Sequence, residues 1–434
     1  MRETMLSGIR AREFARLDHT GSVYLDYTGS ALYPESLVRR DAERLTCSVL
    51  GNPHSESAPS VASTQALEQA RRLTLRLVDA DPSEYDVVFT ANASSAIRIL
   101  AEAFPFGTGS RLVLTADNHN SVNGLRVSAR RRRAAVAYVP LDRELRALDP
   151  TRWLRRTAHP SLFAFPAQSN FSGVRHPLDW IRLAQSRGYR VLLDAASYVP
   201  TARLSLTKTP ADFVALSFYK LFGYPTGVGA LVARRDALGS LRRGYFGGGT
   251  VQFVSVQNSS ARAKAGGERF EDGTPNFLAM PAICDGLDWL HSVGVERIAR
   301  HTTAMTSRLL DRLAQLGARA QVYGPTTTCE RGGTVAFNLM RDGRLLPYER
   351  VEAMARDRSI AIRGGCFCNP GAAEHAFATP AGRARACLKN EFSISRFREC
   401  LGDMPVGALR ASVGVPTVAA DVDRLIDCAT EITR

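Results

Sequence analysis

Residues 211–234 of this 434-residue chain have the sequence ADFVALSFYKLFGYPTGVGALVAR. Two short apolar runs, 213–216 and 229–232, have the composition of strands, and the glycines and proline between them predict a turn. Lys220 lies between the runs, shortly after the first, among aromatic side chains. We predict that this segment forms two strands of a sheet and places a lysine at a strand end.

Similar apolar runs alternate with helical stretches from about residue 85 to residue 235. This alternation predicts βαβ units, a mainly parallel sheet and the α/β fold class. Ligands bind at the carboxyl ends of strands in such sheets, so the residues that directly follow the runs are candidates for a functional site. The other runs lie at 86–90, 111–114, 135–139, 162–165 and 190–193.

Two of these strand ends carry a lysine and a carboxylate. Lys220 is one of only four lysines among 56 basic residues, and an aromatic environment desolvates an amine as a cofactor-bearing lysine requires. Asp194 follows the run 190–193, where its carboxylate could pair with a pyridinium nitrogen. The alternatives are a surface lysine whose stem packs on apolar side chains and an aspartate that caps a helix.

Other strand ends carry hydroxyl groups and a histidine. Ala93, Ser94 and Ser95 follow the run 86–90 and begin a helix, where backbone N–H groups and hydroxyls can bind phosphate. Serine at a helix start also acts simply as a cap, so this alternative stays open. His119 follows another run and could stack on a cofactor ring, although a single histidine often has only a structural role.

In their order, these positions resemble the class V aminotransferase superfamily, and within it the cysteine-desulfurase-like domain of molybdenum cofactor sulfurases. The resemblance implies a pyridoxal-5′-phosphate (PLP) dependent transferase of fold type I, with an aspartate aminotransferase-like architecture. It also implies PLP as cofactor and L-cysteine or a related sulfur-containing amino acid as substrate. The resembling stretches are YLDYTGSALYP, GNPHS, FTANASSAIRILAEAFPF, DNHNSV, FPAQSNFSGVRHPLDWI, LLDAASYVPT, the stretch quoted above, YFGGGT, RFEDGTPNFLAM and GGCFCNPGAA.

The resemblance also implies roles for individual residues. Lys220 carries the cofactor, Asp194 pairs with its ring nitrogen and Cys368 is the nucleophile that accepts sulfur. Thr274 reaches the cofactor phosphate of the neighbouring subunit in a homodimer, and Arg410 clamps the substrate carboxylate. The full cofactor-binding set is Lys220, Asp194, Ala93, Ser94, Ser95, His119, Asn170, Ser197, Ser217, Tyr219 and Thr274, and the substrate-binding set is Arg410, Asn170, Arg363 and His54.

Three residues depart from the family pattern, Ser197, Tyr219 and Ala373, and the fourth departure is that the chain ends without the C-terminal domain of multi-domain sulfurases. Ser197 replaces a glutamine that many desulfurases have, and Tyr219 replaces a histidine but is typical of the sulfurase branch. Cys366 is an additional thiol that the sulfurase pattern also carries, whereas Ala373 stands where that branch often has another cysteine.

From these residues we expect a cysteine desulfurase that forms alanine and leaves a persulfide on Cys368. The alternatives are a PLP-dependent C–S lyase that acts by β-elimination and a catalytically silent PLP-fold partner of a sulfur-transfer system. The chain ends near the end of the PLP fold. We therefore expect a separate sulfur acceptor, either an acidic carrier protein or a small molecule.

Composition narrows the possible partners and the location. The net charge of +14 favours an acidic partner, but no nucleic-acid-binding motif accompanies the arginines, so we expect no nucleic-acid partner. No apolar run of membrane-spanning length is present, and residues 1–21 lack a secretory signal. We expect a cytoplasmic protein with no membrane partner, reduced thiols and no disulfide scaffold. Cys366 and Cys368 have poor zinc-ligand spacing, so we expect no metal.

The chain length predicts two domains in one compact unit. We expect an N-terminal arm over residues 1–20 that packs on the small domain. A large PLP-binding domain should span 21–290, and a small domain with the cysteine loop and Arg410 should span 291–434. Within these, residues 281–316 have a helical pattern, 333–339 a strand pattern, and the Gly- and Ser-rich segment 244–267 has no clear periodicity.

Overall fold

The computed structural model describes residues 6–380, 382, 386–387, 393–402 and 404–434. Residues 1–5 of the predicted arm and Lys389 lie outside this part of the chain. The strands are β1 (Val23–Tyr24), β2 (Tyr85–Thr90), β3 (Arg111–Thr115), β4 (Ala135–Val139), β5 (Ser161–Pro166), β6 (Tyr189–Asp194), β7 (Phe213–Ser217), β8 (Gly229–Arg234), β9 (Val251–Ser255), β10 (Ser260–Ala263), β11 (Ala320–Tyr323), β12 (Thr334–Arg341), β13 (Arg344–Leu345), β14 (Ile360–Ala361), β15 (Arg363–Gly365) and β16 (Ala408–Ser412).

Helices separate most of these strands and also flank them at both ends of the chain. We number them over the described residues only. They are α1 (Ser7–Glu13), α2 (Arg16–His19), α3 (Glu35–Cys47), α4 (Ala58–Leu77), α5 (Ala93–Ala103), α6 (Asn120–Asn123), α7 (Leu125–Arg131), α8 (Trp180–Gln185), α9 (Tyr219–Phe222), α10 (Arg235–Ser240), α11 (Met280–Val293), α12 (Val295–Gln315), α13 (Tyr348–Arg356), α14 (Pro370–Ala376), α15 (Ile394–Cys400) and α16 (Ala419–Ile432).

The central sheet has the strand order β2-β8-β7-β6-β5-β3-β4. Strands β3 to β7 pair in parallel, whereas β8 is antiparallel to both β7 and β2. Strand β8 reverses because the connection from β7, residues 218–228, is too short for the crossover that a parallel neighbour needs. The predicted α/β class, the mainly parallel sheet and the predicted strands are confirmed.

Helices cover both faces of the central sheet. Val191 and Leu193 of β6 join the apolar cluster that includes α4 and α11, whereas Leu192 between them joins the cluster under α5 and α7. Burial of both faces explains why the strands appear in the sequence as continuous apolar runs rather than as alternating ones. The chemistry is therefore restricted to the strand ends.

A second sheet has the order β11-β12-β16-β15 and packs against α12, α13 and α16. Its strand β12 and the helices α11 and α12 confirm the strand and helix patterns predicted after Pro281. Val23 and Leu25, near the start of the chain, also pack in this second apolar cluster, and β1 pairs in parallel with β14. The domain boundaries stay a prediction.

Helix α1 contacts both apolar units. Leu6 and Phe14 pack in the cluster of the large sheet. Arg10 donates hydrogen bonds to the backbone carbonyl of Pro416 (2.7 Å) and to the carboxylate of Asp421 in α16 (2.7 Å). The beginning of the described chain is thus tied to its last helix.

Two features differ from the sequence expectations. Segment 244–267 contains the antiparallel hairpin β9–β10, which the sequence did not reveal because the side chains of β10 are all exposed and therefore show no alternation. A disulfide joins Cys387 and Cys400, which departs from the expectation of reduced thiols. These cysteines are 13 residues apart, so only the fold brings them together. Among the described residues, no helix combines the length and apolar character needed to cross a membrane.

Candidate active site

Lys220 lies in the single turn of helix α9, directly after the buried strand β7. Gly223 ends this turn at a φ of 77°, a left-handed conformation that favours glycine. A Cβ at Gly223 would collide with the backbone of Leu32 and Tyr33, which packs against the turn. The glycine predicted to form a turn here therefore also allows an N-terminal segment to approach the lysine closely.

Burial lowers the pKa of the Lys220 amine, and the positive charges of Arg410 and Arg363 lower it further. The carboxylate of Asp194 opposes this shift, as does the thiolate form of Cys368. The aspartate and the cysteine are therefore both close enough to interact with the amine. A neutral amine is the form of lysine that bonds to a carbonyl cofactor or accepts a proton.

A cavity of about 200 Å³ lies above Lys220, at the carboxyl ends of the parallel strands. Nine of the predicted cofactor-binding residues line it, as the rule for ligands at strand ends requires. These nine residues are Ala93, Ser94, His119, Asn170, Asp194, Ser197, Ser217, Tyr219 and Lys220.

The start of helix α5 forms one wall of this cavity. The backbone N–H of Ala93 donates to the hydroxyl of Ser217 (2.9 Å), which ties the helix to the end of β7. The hydroxyls of Ser94 and Ser121 are 2.5 Å apart at the cavity surface. Asn92 caps the helix by accepting from the N–H of Ser95 (3.0 Å). A helix N-terminus with two hydroxyls beside it is a site for a phosphate group.

His119 also lines the cavity, next to this wall, and caps the start of α6. Its Nδ1 accepts a hydrogen bond from the backbone N–H of Ser121 (3.1 Å), so the neutral ring carries its proton on Nε2. Burial lowers the pKa of this histidine, although Asp194 opposes the shift. The ring is therefore neutral near pH 7 and can lie flat against a cofactor ring.

The segment 366–369, here called the cysteine turn, carries the predicted nucleophile. The N–H of Asn369 donates to the carbonyl of Cys366 (2.9 Å), and the central residues Phe367 and Cys368 both have a φ of 55°. Positive φ at both central positions is the pattern of a type I′ turn, which normally contains glycine or asparagine. Each such residue costs about 1–2 kcal/mol. Strain of this kind persists where surrounding contacts hold it, often at functional sites.

Those contacts come from the cavity walls. The side-chain amide of Asn170 donates to the carbonyl of Phe367 (2.7 Å), and the N–H of Asn120 donates to the carbonyl of Cys368 (2.7 Å). The Phe367 ring is buried beneath the guanidinium of Arg410, 4.7 Å from the ring centre. Both cysteine thiols of the turn remain exposed. The turn therefore presents Cys368 from a fixed backbone.

Arg410, the predicted carboxylate clamp, is itself bound within the protein. It is only 2% exposed and donates to the carboxylate of Asp26 (2.9 Å) and to the carbonyl of Asn170 (3.1 Å). Asp26 also accepts from Arg363, whose nearest nitrogen is 2.6 Å away and whose side chain is 49% exposed. Arg363 is thus the more accessible cation, and the clamp role of Arg410 stays a prediction.

The other predicted site residues do not line the cavity. Ser95 and Thr274 line a separate cavity of about 340 Å³ behind α5. Thr274 is exposed and its hydroxyl accepts from the side chain of Asn52 (3.3 Å). His54 is exposed and lies near Glu268 rather than near the lysine. In the described part of the chain, no cluster of side chains suits a metal ion.

Sequence reasoning missed three residues that form this site. Asn92 and Ser121 line the cavity and lie beside strand ends that had been singled out, so their position was a usable signal. Gln168, which follows the run 162–165, lines the cavity as expected of a strand-end residue. Asp26 binds both arginines, but its role could not be found because its partners lie more than 300 positions away in the sequence.

A desolvated lysine, a carboxylate across from it and a phosphate cradle define the site of an enzyme that uses an aldehyde cofactor bearing a phosphate. The profile of the class V aminotransferase family matches residues 23–425. Since this match covers most of the chain, the protein belongs to the class V aminotransferase family.

The chain is similar to molybdenum cofactor sulfurases. It is 34% identical to those of Arabidopsis thaliana and Homo sapiens, in matches that cover 96% and 97% of this chain but 57% and 50% of the relatives. The chain thus spans about half the length of these relatives. Its structure is similar to a cysteine desulfurase from Thermococcus onnurineus (TM-score 0.83, 24% identity, 100% of this chain and 99% of the other).

The structure is also similar to a cystine C–S lyase, with a TM-score of 0.73, 18% identity, and coverage of 96% of this chain and 99% of the other. These comparisons confirm the predicted family resemblance, the fold type and the cofactor, PLP. The residues present suit this group. Lys220 would hold its aldehyde carbon, Asp194 its ring nitrogen, and the start of α5 with Ser94 and Ser217 its phosphate.

Proposed function

We propose that this protein is a PLP-dependent cysteine desulfurase that moves sulfur from L-cysteine to Cys368 and then to an acceptor. The observation that carries the proposal is that the cysteine turn is bonded to a wall of the cavity that holds Lys220, through the side chain of Asn170 (2.7 Å). Lys220 lies at the base of this cavity with a lowered amine pKa, and the charge of Cys368, on the exposed cysteine turn, reaches that amine. The names of the similar proteins support the same chemistry.

Bound PLP supplies an electron sink for the bonds at the substrate Cα. Asp194 faces the cavity from the end of β6 and keeps the sink effective by holding a proton on the ring nitrogen. Burial lowers the pKa of Lys220, which favours the neutral amine that can take the proton from Cα. Burial lowers the pKa of His119, so its imidazole would stack on the cofactor ring without adding a positive charge.

The thiolate of Cys368 then attacks the substrate sulfur. A sulfur–sulfur bond forms and the bond from Cβ to sulfur breaks, with its electron pair remaining on the carbon side. Lys220 returns its proton to Cα, and the proton that the Cys368 thiol released goes to Cβ, which completes alanine. The balance is L-cysteine plus a Cys368 thiol giving L-alanine plus a Cys368 persulfide, with no external oxidant or reductant.

Arg363 and Arg410 provide the cations for the substrate carboxylate. Arg363 is half exposed, and burial raises the pKa of Tyr219 on the cavity wall while the charge of Arg363 opposes that rise. Planar guanidinium groups suit carboxylates because they donate two parallel hydrogen bonds. We assign first contact with the carboxylate to Arg363, since both terminal nitrogens of Arg410 are already bound.

A second candidate function is a C–S lyase that releases sulfide by β-elimination. The observation that favours it is that Cys368 is exposed and does not line the cavity itself. In that reaction L-cysteine and water give pyruvate, ammonia and hydrogen sulfide. A catalytically silent partner protein is the least supported alternative, because Lys220, Asp194 and Cys368 are all present.

The products from L-cysteine distinguish these functions. We expect purified protein loaded with PLP to form alanine, and in the presence of a thiol reductant to release one sulfide for each alanine. Amino acid analysis and a keto acid assay on the same sample measure both outcomes. Pyruvate and ammonia without alanine would establish the lyase instead. If neither alanine nor pyruvate forms, the protein is the catalytically silent partner.

We also propose that the protein is a homodimer in which Thr274 serves the cofactor of the other subunit. Thr274 is exposed and lies outside the cavity of its own chain. Exposed apolar side chains are concentrated in the nearby segment 244–267, including Phe253 at 62% and Val256 at 92% exposure. A contiguous exposed apolar patch is typical of a protein–protein interface.

Thr274→Ala should weaken retention of PLP by roughly tenfold, because a hydroxyl bonded to a charged phosphate is lost. Equilibrium dialysis of the cofactor measures this, and Thr46→Ala on α3 is the matched control. Light scattering should give the mass of a dimer for both variants. A fully loaded monomer, or unchanged PLP affinity in Thr274→Ala, would contradict the proposal.

We propose an acidic carrier protein as the sulfur acceptor. The chain has a net charge of +14, and complementary charge accelerates encounter between proteins. A small-molecule acceptor is the alternative. The cytoplasmic location stays a prediction from the N-terminal sequence.

Transfer to the carrier should slow by about tenfold when the ionic strength rises from 0.05 M to about 0.5 M, because salt screens exposed charges. Purified persulfide protein is mixed with candidate carriers, and the sulfur transferred is measured by mass spectrometry. Alanine formation at saturating L-cysteine under a thiol reductant is the internal control and should change little. Transfer that does not depend on salt would exclude charge as the basis of recognition.

A further inference from the structure

Asn369, the last residue of the cysteine turn, is fully buried and uses both ends of its side-chain amide. Its Nδ2 donates to the carbonyl of Asp117 (2.7 Å) and to Oδ1 of Asn170 (2.9 Å). Its Oδ1 accepts from the N–H of Ala372 (3.2 Å) and so caps α14. Its own N–H closes the turn on the carbonyl of Cys366 (2.9 Å).

The partners of Asn369 belong to the walls of the cofactor cavity. Asp117 lies two residues before His119, and Asn170 lines the cavity directly. Asn170 also donates from its side chain to the carbonyl of Phe367 (2.7 Å), so the two asparagines bond to each other and to the turn. Asn369 therefore links the cysteine turn to two of the walls.

We propose that Asn369 is a positioning residue that determines whether the sulfur leaving the substrate is captured by Cys368 or lost as sulfide. This inference rests on the proposed desulfurase function. The turn holds two left-handed residues without glycine, a conformation that relaxes unless neighbouring groups hold it. Removal of the Asn369 amide removes two of the bonds that tie the turn to the cavity walls, those to Asp117 and Asn170.

The two fates of the sulfur differ in the position of one thiol. With Cys368 in place, its thiolate takes the sulfur and alanine forms. With Cys368 displaced, the bond from Cβ to sulfur breaks toward hydrosulfide, and hydrolysis with one water gives pyruvate and ammonia. Loss of alignment therefore changes the ratio of alanine to pyruvate, whereas a general loss of stability lowers both products together.

Asn369→Ser tests this inference, because a serine hydroxyl can still cap α14 but cannot reach both wall segments. Asn338→Ser is the matched control. Asn338 is also fully buried, and its side chain donates to the hydroxyl of Tyr323 (3.0 Å) and the carbonyl of Gly407 (3.2 Å) rather than to the walls that Asn369 joins. We expect Asn369→Ser to lower the ratio of alanine to pyruvate by about tenfold, as loss of ordinary hydrogen bonds would. The control should keep the ratio of the unaltered protein.

A second measurement does not depend on turnover. The backbone N–H groups of residues 120 and 369 donate to carbonyls of the cysteine turn. In the protein without substrate, their hydrogen exchange should become at least about tenfold faster in Asn369→Ser. Asn369→Asp provides a second variant that keeps the cap and loses both side-chain donors, and it should show the same two changes. An unchanged product ratio in both Asn369 variants, or an equal change in Asn338→Ser, would overturn the inference.

The products formed by the unaltered protein distinguish a failure of this inference from a failure of the proposed function. If that protein forms no alanine and no persulfide, the desulfurase proposal fails. If it forms both, and the Asn369 variants keep the same product ratio and exchange rates, only the positioning role fails.

Discussion

Lys220→Ala removes the visible absorption of bound PLP and lowers the consumption of L-cysteine by at least about 10⁴-fold, the upper range for loss of a positioned general base. The effect is large because the one amine has two tasks. In the proposed function it holds the cofactor and takes the Cα proton, and burial lowers its pKa and so favours the neutral form that both tasks need. Absorption spectra and single-turnover consumption of L-cysteine measure the two losses separately.

Lys208→Ala is the control, because Lys208 is an exposed lysine that does not line the cavity. It should retain both the spectrum and the rate. Lys220→Arg is informative as well, since it keeps a positive charge but cannot form the covalent link or act as a base near neutral pH. An unaltered visible spectrum in Lys220→Ala would show that the cofactor is not attached here.

Cys368→Ser should lower alanine formation by at least about 100-fold while PLP absorption is unchanged, because only the group that accepts sulfur is removed. The backbone of the cysteine turn should keep its shape, since its bonds to the cavity walls come from carbonyl groups rather than from the thiol. Alanine release and persulfide mass on the intact protein measure the effect.

Cys366→Ser should have a much smaller effect. Cys366 precedes the strained part of the turn, and its charge adds to the rise in pKa that burial causes at Tyr348 of α13. Cys47→Ser, at an exposed free cysteine on α3, is the control for loss of any thiol. If the Cys368 variant formed alanine at the full rate and the Cys366 variant were inactive, Cys366 rather than Cys368 would be the residue that accepts sulfur.

The sequence predicted the central sheet well because burial on both faces leaves long apolar runs. Strands β3 and β7 illustrate this, since each begins where its apolar run begins and ends one residue after it. The strand-end rule then placed Lys220, Asp194 and Ser94 at one cavity. Local sequence patterns were therefore enough to predict the position of a residue that is placed by the strand it follows.

Contacts between distant segments could not be predicted from such patterns. Asp26 reaches Arg410 through the pairing of the N-terminal segment with the second sheet, which no periodicity encodes. The disulfide of Cys387 with Cys400 depends on tertiary packing in the same way. The hairpin β9–β10 was missed for another reason, because β10 has the sequence SARA with all side chains exposed and so shows no alternation of apolar and polar residues.

The most direct test of the account is a single turnover with L-cysteine and no reductant, followed by mass measurement of the intact protein and of its Cys368 peptide. The account predicts one alanine per active site and, in equal amount, a gain of one sulfur atom located on Cys368. Formation of pyruvate with sulfide free in solution and no added mass on Cys368 would contradict it.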